Sequence, residues 1–121
     1  MIPYNIAEQI NHGVNSSTIY FTDMMLYGKP DFWEIANGRG DCEDYALAKR
    51  KKFLDMGYSP SELRLATCIT ETGVGHAVLI VTTEKGEYVL DNRYEDLMDR
   101  QGLDYKWINI EEGGKWHAIL S

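Results

Sequence analysis

The strongest structural signal in the chain is the segment GDCEDYALAK at residues 40–49. Asp41 is a favourable N-cap residue, and Asp44 three positions later gives a weak version of the capping box. Apolar residues then recur at helical spacing until Gly57, which is a typical C-terminal stop. The pattern predicts a helix whose first residue is Cys42. The basic residues that follow, Lys49 to Lys52, are expected on its exposed face.

Downstream of this helix the pattern changes to that of strands. Alternation over residues 63–70 predicts a half-buried strand, and the apolar run after His76 predicts a buried one. A turn at residues 83–86 returns the chain as a partner strand that ends at Asp91, and a last hairpin is expected over residues 105–120. Helices followed by antiparallel strands predict an α+β domain.

Upstream of residue 40 the pattern is weaker. Pro3 suits the first turn of a helix that carries Ile6 and Ile10 on one face, and Gly13 is expected to end that helix. Residues 14–40 show no clear periodicity and finish in a glycine-containing loop.

Composition limits the function classes that need to be considered. The 121 residues, 44% of them apolar, suit one domain over residues 1–121. Twelve basic and 19 acidic residues give a net charge of −7, which argues against nucleic-acid binding. No apolar run reaches the roughly 18 residues of a membrane span, and the N-terminus has no secretory signal. Two cysteines are too few for a disulfide scaffold or a thiolate zinc site, so we expect a reduced, cytoplasmic protein.

Three polar residues stand where folding is expected to bring them together. Cys42 begins a helix, His76 begins a strand and Asp91 ends the next strand, so the open end of that hairpin carries His76 and Asp91 side by side. Directly opposed residues lie about 4.5–5.5 Å apart at their Cβ atoms, within reach of a hydrogen bond. A helix N-terminus and an imidazolium both favour the nucleophilic thiolate. Spacing alone leaves open a Cys42–His76–Asp91 triad or a small buried cysteine.

The surroundings of Cys42 add two further candidates. Its backbone N–H, unpaired in the first helical turn, could bind an oxyanion, with the indole N–H of Trp33 as a second donor. Asp41, Glu43 and Asp44 surround the thiol with carboxylates, which raise the pKa of a thiol. These acids can be explained as helix capping or as a calcium site, because Ca²⁺ collects carboxylate and carbonyl oxygens.

At these residues the sequence resembles the bacterial transglutaminase-like cysteine proteinases of the LapG type. The resemblance is carried by Gly-Asp-Cys-Glu-Asp-Tyr-Ala at 40–46, Gly-His-Ala-Val-Leu at 75–79 and Leu-Asp-Asn at 90–92. With the weaker upstream matches, it extends over about residues 14–110.

The resemblance implies a papain-like, transglutaminase-like core with the nucleophile at the N-terminus of a helix packed on an antiparallel sheet. It implies Cys42 as nucleophile, His76 as base and Asp91 as the residue that orients the base. It also implies bound Ca²⁺, for which the candidate ligands are Asp41, Glu43 and Asp44.

The chain also departs from this family. Members are typically exported and cleave large surface adhesins, whereas this sequence shows no export signal, and the segment between Trp33 and Gly40 is shorter. We therefore do not expect the adhesin substrate, and a phage-encoded protein in a host cytoplasm suits such a version.

Three functions follow from these residues. The leading expectation is a cysteine hydrolase that cleaves a peptide bond in a protein or peptide substrate. The same triad also serves transglutaminase-type acyl transfer or glutamine deamidation, because pocket shape and water exclusion choose the acceptor. The third is a non-catalytic, calcium-stabilised interaction module that uses exposed Tyr and Trp side chains near residues 105–116.

Overall fold

The computed structural model describes residues 1–17, 19–20, 39–40, 42–112 and 115–118. Two α-helices lie in these ranges, α1 (Tyr4–Ser17) and α2 (Cys42–Asp55). The strands are β1 (Ile19–Tyr20), β2 (Arg39–Gly40), β3 (Leu63–Ile69), β4 (Gly75–Thr83), β5 (Gly86–Leu90), β6 (Lys106–Glu112) and β7 (Lys115–Ala118). Short 3₁₀ turns cover Pro60–Glu62 and Arg100–Gly102. Neither described helix is long and apolar enough to cross a membrane.

Five of the strands form one antiparallel sheet in the order β5-β4-β3-β6-β7. The hairpins β3–β4 and β4–β5 extend the sheet in one direction from β3, and the β6–β7 hairpin is added on the other side of β3. β1 and β2 form a separate parallel pair. The predicted α+β class is confirmed, with the helices packed on an antiparallel sheet.

Helix α2 begins and ends where the sequence predicts. It starts at Cys42 and ends at Asp55. Two residues later Gly57 adopts a positive φ of 92°, which a glycine accommodates without strain. Its buried stripe includes Tyr45, Ala46 and Phe53, which pack on β3, β4 and α1. The core under the helices joins these residues to Ile2, Ala7, Ile10, Val14, Ala48, Leu63, Leu65, Leu79, Val81, Leu90 and Leu97.

The opposite face of the sheet is covered as well. The chain between β5 and β6 folds back across the sheet, forming a bridge between Val89 and Met98. It buries a second cluster that consists of Ala66, Cys68, Val78, Ile80, Val89, Leu103, Tyr105, Trp107 and Ile110. The prediction that β3 is half-buried is therefore wrong, because the strand is packed on both faces.

Helix α1 continues past Gly13, where the sequence predicts its end. Val14 in the following turn is only 2% exposed. The Asn15 side-chain amide donates to the carbonyl oxygens of Asp91 (3.0 Å) and Tyr94 (3.2 Å). These tertiary contacts outweigh the cost of about 1 kcal/mol that a glycine brings to a helix interior.

Truncation of Phe53 tests which face of α2 carries the stability. Phe53 is fully buried, whereas its neighbour Leu54 is 36% exposed. We expect Phe53→Ala to lower the free energy of unfolding by about 3–5 kcal/mol, because it leaves a cavity in the core. Leu54→Ala is the matched control and should cost well under half as much. Urea unfolding of the two variants measures both, and equal losses would contradict the packing.

Candidate active site

Cys42 occupies the first position of α2, at the partly positive end of the helix. The residue is 7% exposed, and its thiol donates a hydrogen bond to Oε2 of Glu43 at 3.5 Å. The helix terminus favours a thiolate here, whereas the neighbouring carboxylate opposes one. The Cys42 thiol is therefore subject to two opposing electrostatic effects.

His76 and Asp91 form a short contact at the end of the central strands. Nε2 of His76 lies 2.7 Å from Oδ1 of Asp91, and the two side chains are 7% and 0% exposed. Because an ionised carboxylate only accepts hydrogen bonds, Nε2 carries the proton. Nδ1 is then the ring nitrogen that can accept a proton from a nucleophile.

The two residues meet diagonally rather than directly across the strands. Leu79 pairs with Leu90, so the same register sets Asp91 opposite Val78, two positions from His76. The expectation of directly opposed neighbours is therefore wrong in register. The imidazole spans the diagonal, which long and aromatic side chains can do.

Asp91 accepts hydrogen bonds from three directions. Besides His76, the Tyr105 hydroxyl donates to Oδ2 at 2.6 Å, and the backbone N–H of Arg93 donates to Oδ1 at 3.0 Å. Burial alone would raise the pKa of the Asp91 carboxyl, but the hydrogen bond and charge of His76, with these other donors, hold it below its ordinary value. Asp91 is thus kept as a carboxylate although it is removed from water.

Tyr105 and Arg93 extend this network toward the surface. Nη1 of Arg93 donates to the Tyr105 hydroxyl and to Oε1 of Glu71, each at 3.0 Å. The Tyr105 ring also meets the His76 ring edge-on at 5.7 Å. Sequence reasoning missed both residues, since neither belongs to a recognisable motif.

The aromatic residues of 105–116 are not the exposed surface that the sequence suggested. Tyr105 and Trp107 are each 8% exposed, and only Trp116, at 47%, is an exposed member of the three. The Trp107 indole donates to the carbonyl of Arg100 at 3.3 Å, which fixes it inside the fold. This removes most of the support for an aromatic interaction surface there.

Lys51 and Lys52 are exposed as expected, whereas Lys49 departs from the expected exposed basic face of α2. The residue is 0% exposed, and its Nζ has no hydrogen-bond partner in the described part of the chain. Burial lowers the pKa of its ammonium to about 7, and the nearby carboxylate of Asp91 acts in the opposite direction. Lys49 lies seven residues after Cys42, two helical turns, and so shares its inward face.

The candidate calcium ligands are only partly within the described residues. Glu43 is half-buried and Asp44 is fully buried, whereas Asp41 and the proposed oxyanion donor Trp33 lie outside the described ranges. Within those ranges, no three His, Cys, Asp or Glu side chains are grouped as a metal site. The three carboxylates within residues 41–44 nonetheless have the hard oxygen donors that Ca²⁺ prefers.

A cavity of about 370 Å³ opens beside the His76–Asp91 pair. Tyr45, one helical turn after Cys42, lines it from α2, and His76 lines it from β4. The other lining residues described are Thr70, Thr72, Val74, Gly75, Asn92 and Arg93. A space of this size, mixing apolar and polar walls, can receive a segment of polypeptide.

A cysteine at a helix N-terminus and a His–Asp pair on an antiparallel sheet are the features by which the chain resembles the transglutaminase-like cysteine proteinases. Comparison with protein families gives the same class, since the model of the bacterial transglutaminase-like cysteine proteinases (BTLCP) matches residues 4–121. The chain belongs to this family.

Solved structures of Legionella pneumophila LapG share the fold. The calcium-bound form is 24% identical, with a TM-score of 0.80, over 96% of this chain and 69% of that one. The EGTA-treated form is also 24% identical, with a TM-score of 0.81, over 98% and 69%. A further LapG structure is 25% identical, with a TM-score of 0.78, over 96% and 69%. Comparison with the curated proteins gives no match.

Removing the Tyr105 hydroxyl tests how strongly Asp91 depends on its donors. We expect Tyr105→Phe to lower the free energy of unfolding by about 1–3 kcal/mol, because one oxygen of a buried carboxylate loses its partner. Tyr94→Phe is the matched control, since the Tyr94 hydroxyl makes no hydrogen bond within the described residues. Urea denaturation at neutral pH measures the difference in the free energy of unfolding. A Tyr105→Phe variant as stable as the unmodified protein would contradict the role of this bond.

Proposed function

We propose that the protein is a cysteine proteinase that hydrolyses peptide bonds in a protein substrate, with Cys42, His76 and Asp91 as its triad, and that residues 1–121 act as one domain. The observation that carries the proposal is the 2.7 Å bond between His76 and the buried Asp91. It leaves Nδ1 of His76 as the base, on a strand that packs against the helix of Cys42. Family membership supports the same chemistry.

The proposed reaction has two steps. Nδ1 of His76 takes the thiol proton of Cys42, and the sulfur attacks the scissile carbonyl carbon. The imidazolium then gives its proton to the leaving amine, so a thioester to Cys42 remains. In the second step His76 deprotonates a water molecule that attacks the thioester, and the thiol is regenerated as the new carboxyl group leaves.

Asp91 and the helix terminus have supporting roles in this mechanism. The carboxylate of Asp91 fixes the ring orientation of His76 and stabilises its imidazolium form. The backbone N–H of Cys42, at the first position of α2, is the proposed donor to the oxyanion.

The cavity beside His76 is the proposed substrate cleft. Its residues come from α2, β4 and the chain that follows β5, so a peptide bound there passes the base. The exposed Val74, 59% accessible, forms one apolar part of its rim. The cleft suits an extended segment of a protein substrate rather than a small molecule buried on all sides.

We further propose that Ca²⁺ binds beside the nucleophile through Asp41, Glu43 and Asp44. The chemistry of this donor set fits a hard cation, and one of the similar LapG structures is calcium-bound. When bound, the ion supplies positive charge next to Cys42. Glu43, which accepts the Cys42 hydrogen bond, then has its carboxylate charge offset.

Replacing the nucleophile tests the catalytic proposal. We expect Cys42→Ala to abolish cleavage of a proteome-derived peptide library, scored by mass spectrometry as new N-termini in the presence of Ca²⁺. Cys68→Ala is the matched control and should retain cleavage, because Cys68 is buried in the sheet with its thiol on the carbonyl of His76. Circular dichroism checks that both variants are folded.

Two outcomes would count against peptide hydrolysis by Cys42. A Cys42→Ala protein that still produces new N-termini would exclude the residue as nucleophile. A labelled primary amine added to the same assay and incorporated in place of water would show that the triad transfers acyl groups instead.

Calcium removal tests the metal proposal. A ligand that binds only the folded state at a hundred times its Kd adds about 2.7 kcal/mol of stability, so Ca²⁺ should raise the thermal midpoint over that in EGTA. Glu43→Gln should reduce that increase, whereas the exposed Glu8→Gln, on α1, should leave it intact. Identical midpoints in Ca²⁺ and EGTA for the unmodified protein would refute calcium binding.

A further inference from the structure

We infer that Arg93 is a positioning residue of the proposed triad, whose guanidinium group acts through the Tyr105 hydroxyl on the Asp91 carboxylate. By holding that carboxylate, it fixes the ring of His76. The inference rests on the proposed function of this triad. Nη1 of Arg93 donates to the Tyr105 hydroxyl at 3.0 Å, and that hydroxyl donates to Oδ2 of Asp91 at 2.6 Å. The other carboxylate oxygen, Oδ1, lies 2.7 Å from Nε2 of His76.

An aspartate side chain needs support at both oxygens if it is to hold a neighbouring ring. The torsion that turns a carboxylate about its last bond has broad minima, so a single hydrogen bond leaves the group free to rotate. In this site the backbone N–H of Arg93 donates to Oδ1 of Asp91 at 3.0 Å, and the Tyr105 hydroxyl donates to Oδ2. Arg93 therefore supports both oxygens, one directly through its backbone and the other indirectly through its side chain.

The guanidinium group also sets the direction of these hydrogen bonds. A tyrosine hydroxyl can donate or accept, whereas a guanidinium only donates. Because Nη1 of Arg93 donates to the oxygen of the Tyr105 hydroxyl, the hydroxyl proton is left for Asp91. Burial, with the hydrogen bond and charge of Asp91, raises the pKa of Tyr105 well above its ordinary value, so that proton is retained. A cationic donor on the hydroxyl strengthens the bond that the hydroxyl donates in turn.

Arg93 is itself held in place by two further contacts. The same Nη1 donates to Oε1 of Glu71 at 3.0 Å, and both side chains are 33% exposed. The guanidinium carbon lies 5.7 Å from the centre of the Tyr94 ring, within the range of a cation–π contact. An exposed ion pair by itself contributes little to stability. What distinguishes Arg93 is that the nitrogen held by Glu71 is also the one that donates to Tyr105.

Arg93 also lines the cavity beside His76, so direct binding of substrate is the role from which positioning has to be distinguished. A guanidinium that binds substrate would change KM, and its effect would not depend on Tyr105. A guanidinium that acts through the hydroxyl would change kcat, and its effect would vanish when the hydroxyl is removed. The two roles therefore give opposite results in a double-mutant cycle.

Cleavage kinetics of Arg93→Met, Tyr105→Phe and the double variant test the inference on a fluorogenic copy of the fastest-cleaved library peptide, with Ca²⁺ present. We expect each single variant, shown to be folded by circular dichroism, to lower kcat roughly tenfold and to leave KM unchanged. The double variant should be no slower than Tyr105→Phe alone. Arg93→Lys should recover part of the loss, because an ammonium group is also only a donor.

The control for these kinetics is Arg100→Met. Arg100 is similarly exposed, at 37% of its side chain, and lies 3.5 Å from Glu87 in an ion pair away from the triad. Its variant should keep the kcat of the unmodified protein. A raised KM in Arg93→Met, or losses that add in the double variant, would overturn the inference in favour of substrate binding.

Proton exchange at the His76 ring supplies a second measurement that does not require activity. In protein labelled with ¹⁵N at histidine, the Nε2–H of His76 should exchange slowly with water, because it is bonded to a buried carboxylate. The other two histidines, His12 and His117, are exposed. We expect exchange at His76 to be about tenfold faster in Arg93→Met and unchanged in Arg100→Met.

Backbone amides of β4, measured in the same samples, show whether the sheet as a whole opens more often. Equal acceleration of those amides in Arg93→Met would mean general destabilisation and would overturn the inference, as would a His76 exchange rate equal to that in Arg100→Met. If the unmodified protein cleaves nothing, the proposed function fails, whereas the exchange experiment still decides whether Arg93 holds the His76 ring.

Discussion

The buried carboxylate of Asp91 is the constraint on which the rest of the site depends. It is 0% exposed, and a charge held away from water persists only if donors replace its hydration. Those donors come from three parts of the chain, namely His76 at the start of β4, the Arg93 backbone just after β5, and Tyr105 just before β6. One side chain therefore fixes the relative positions of two neighbouring strands and of the chain that leads into a third.

The same carboxylate explains why ionisable groups collect in an otherwise apolar interior. Lys49 is buried in α2, and the Tyr105 hydroxyl accepts a hydrogen bond from Arg93, which also donates to Glu71 at the surface. In low-dielectric surroundings each of these groups acts on the others more strongly than it would in water. A single substitution in this group should therefore be felt at His76, even where it touches neither the thiol nor a bound peptide.

The sequence predicts the parts of the fold that local rules control. The N-cap pattern locates Cys42 at the start of α2, and alternation identifies the strands that bring His76 and Asp91 together. Features set by long-range packing are missed. Helix α1 passes through Gly13 because Asn15 finds partners 76 and 79 residues away, and β6 joins the sheet beside β3, a position that local sequence does not indicate. Lys49 was expected outside because a basic run is normally solvated, and nothing in its neighbours' sequence signals a buried anion.

The central strand β3 carries a second thiol, that of Cys68, whose surroundings suppress its reactivity. Cys68 is 1% exposed between β4 and β6, and burial, with the charge of Asp91, raises its pKa to about 12. At neutral pH almost none of it is thiolate, and no reagent reaches it while the sheet is closed. Modification of Cys68 therefore requires that the strands separate, so its labelling rate under native conditions reports the opening free energy of the sheet. The labelling of Cys68 thus measures how often the central sheet opens.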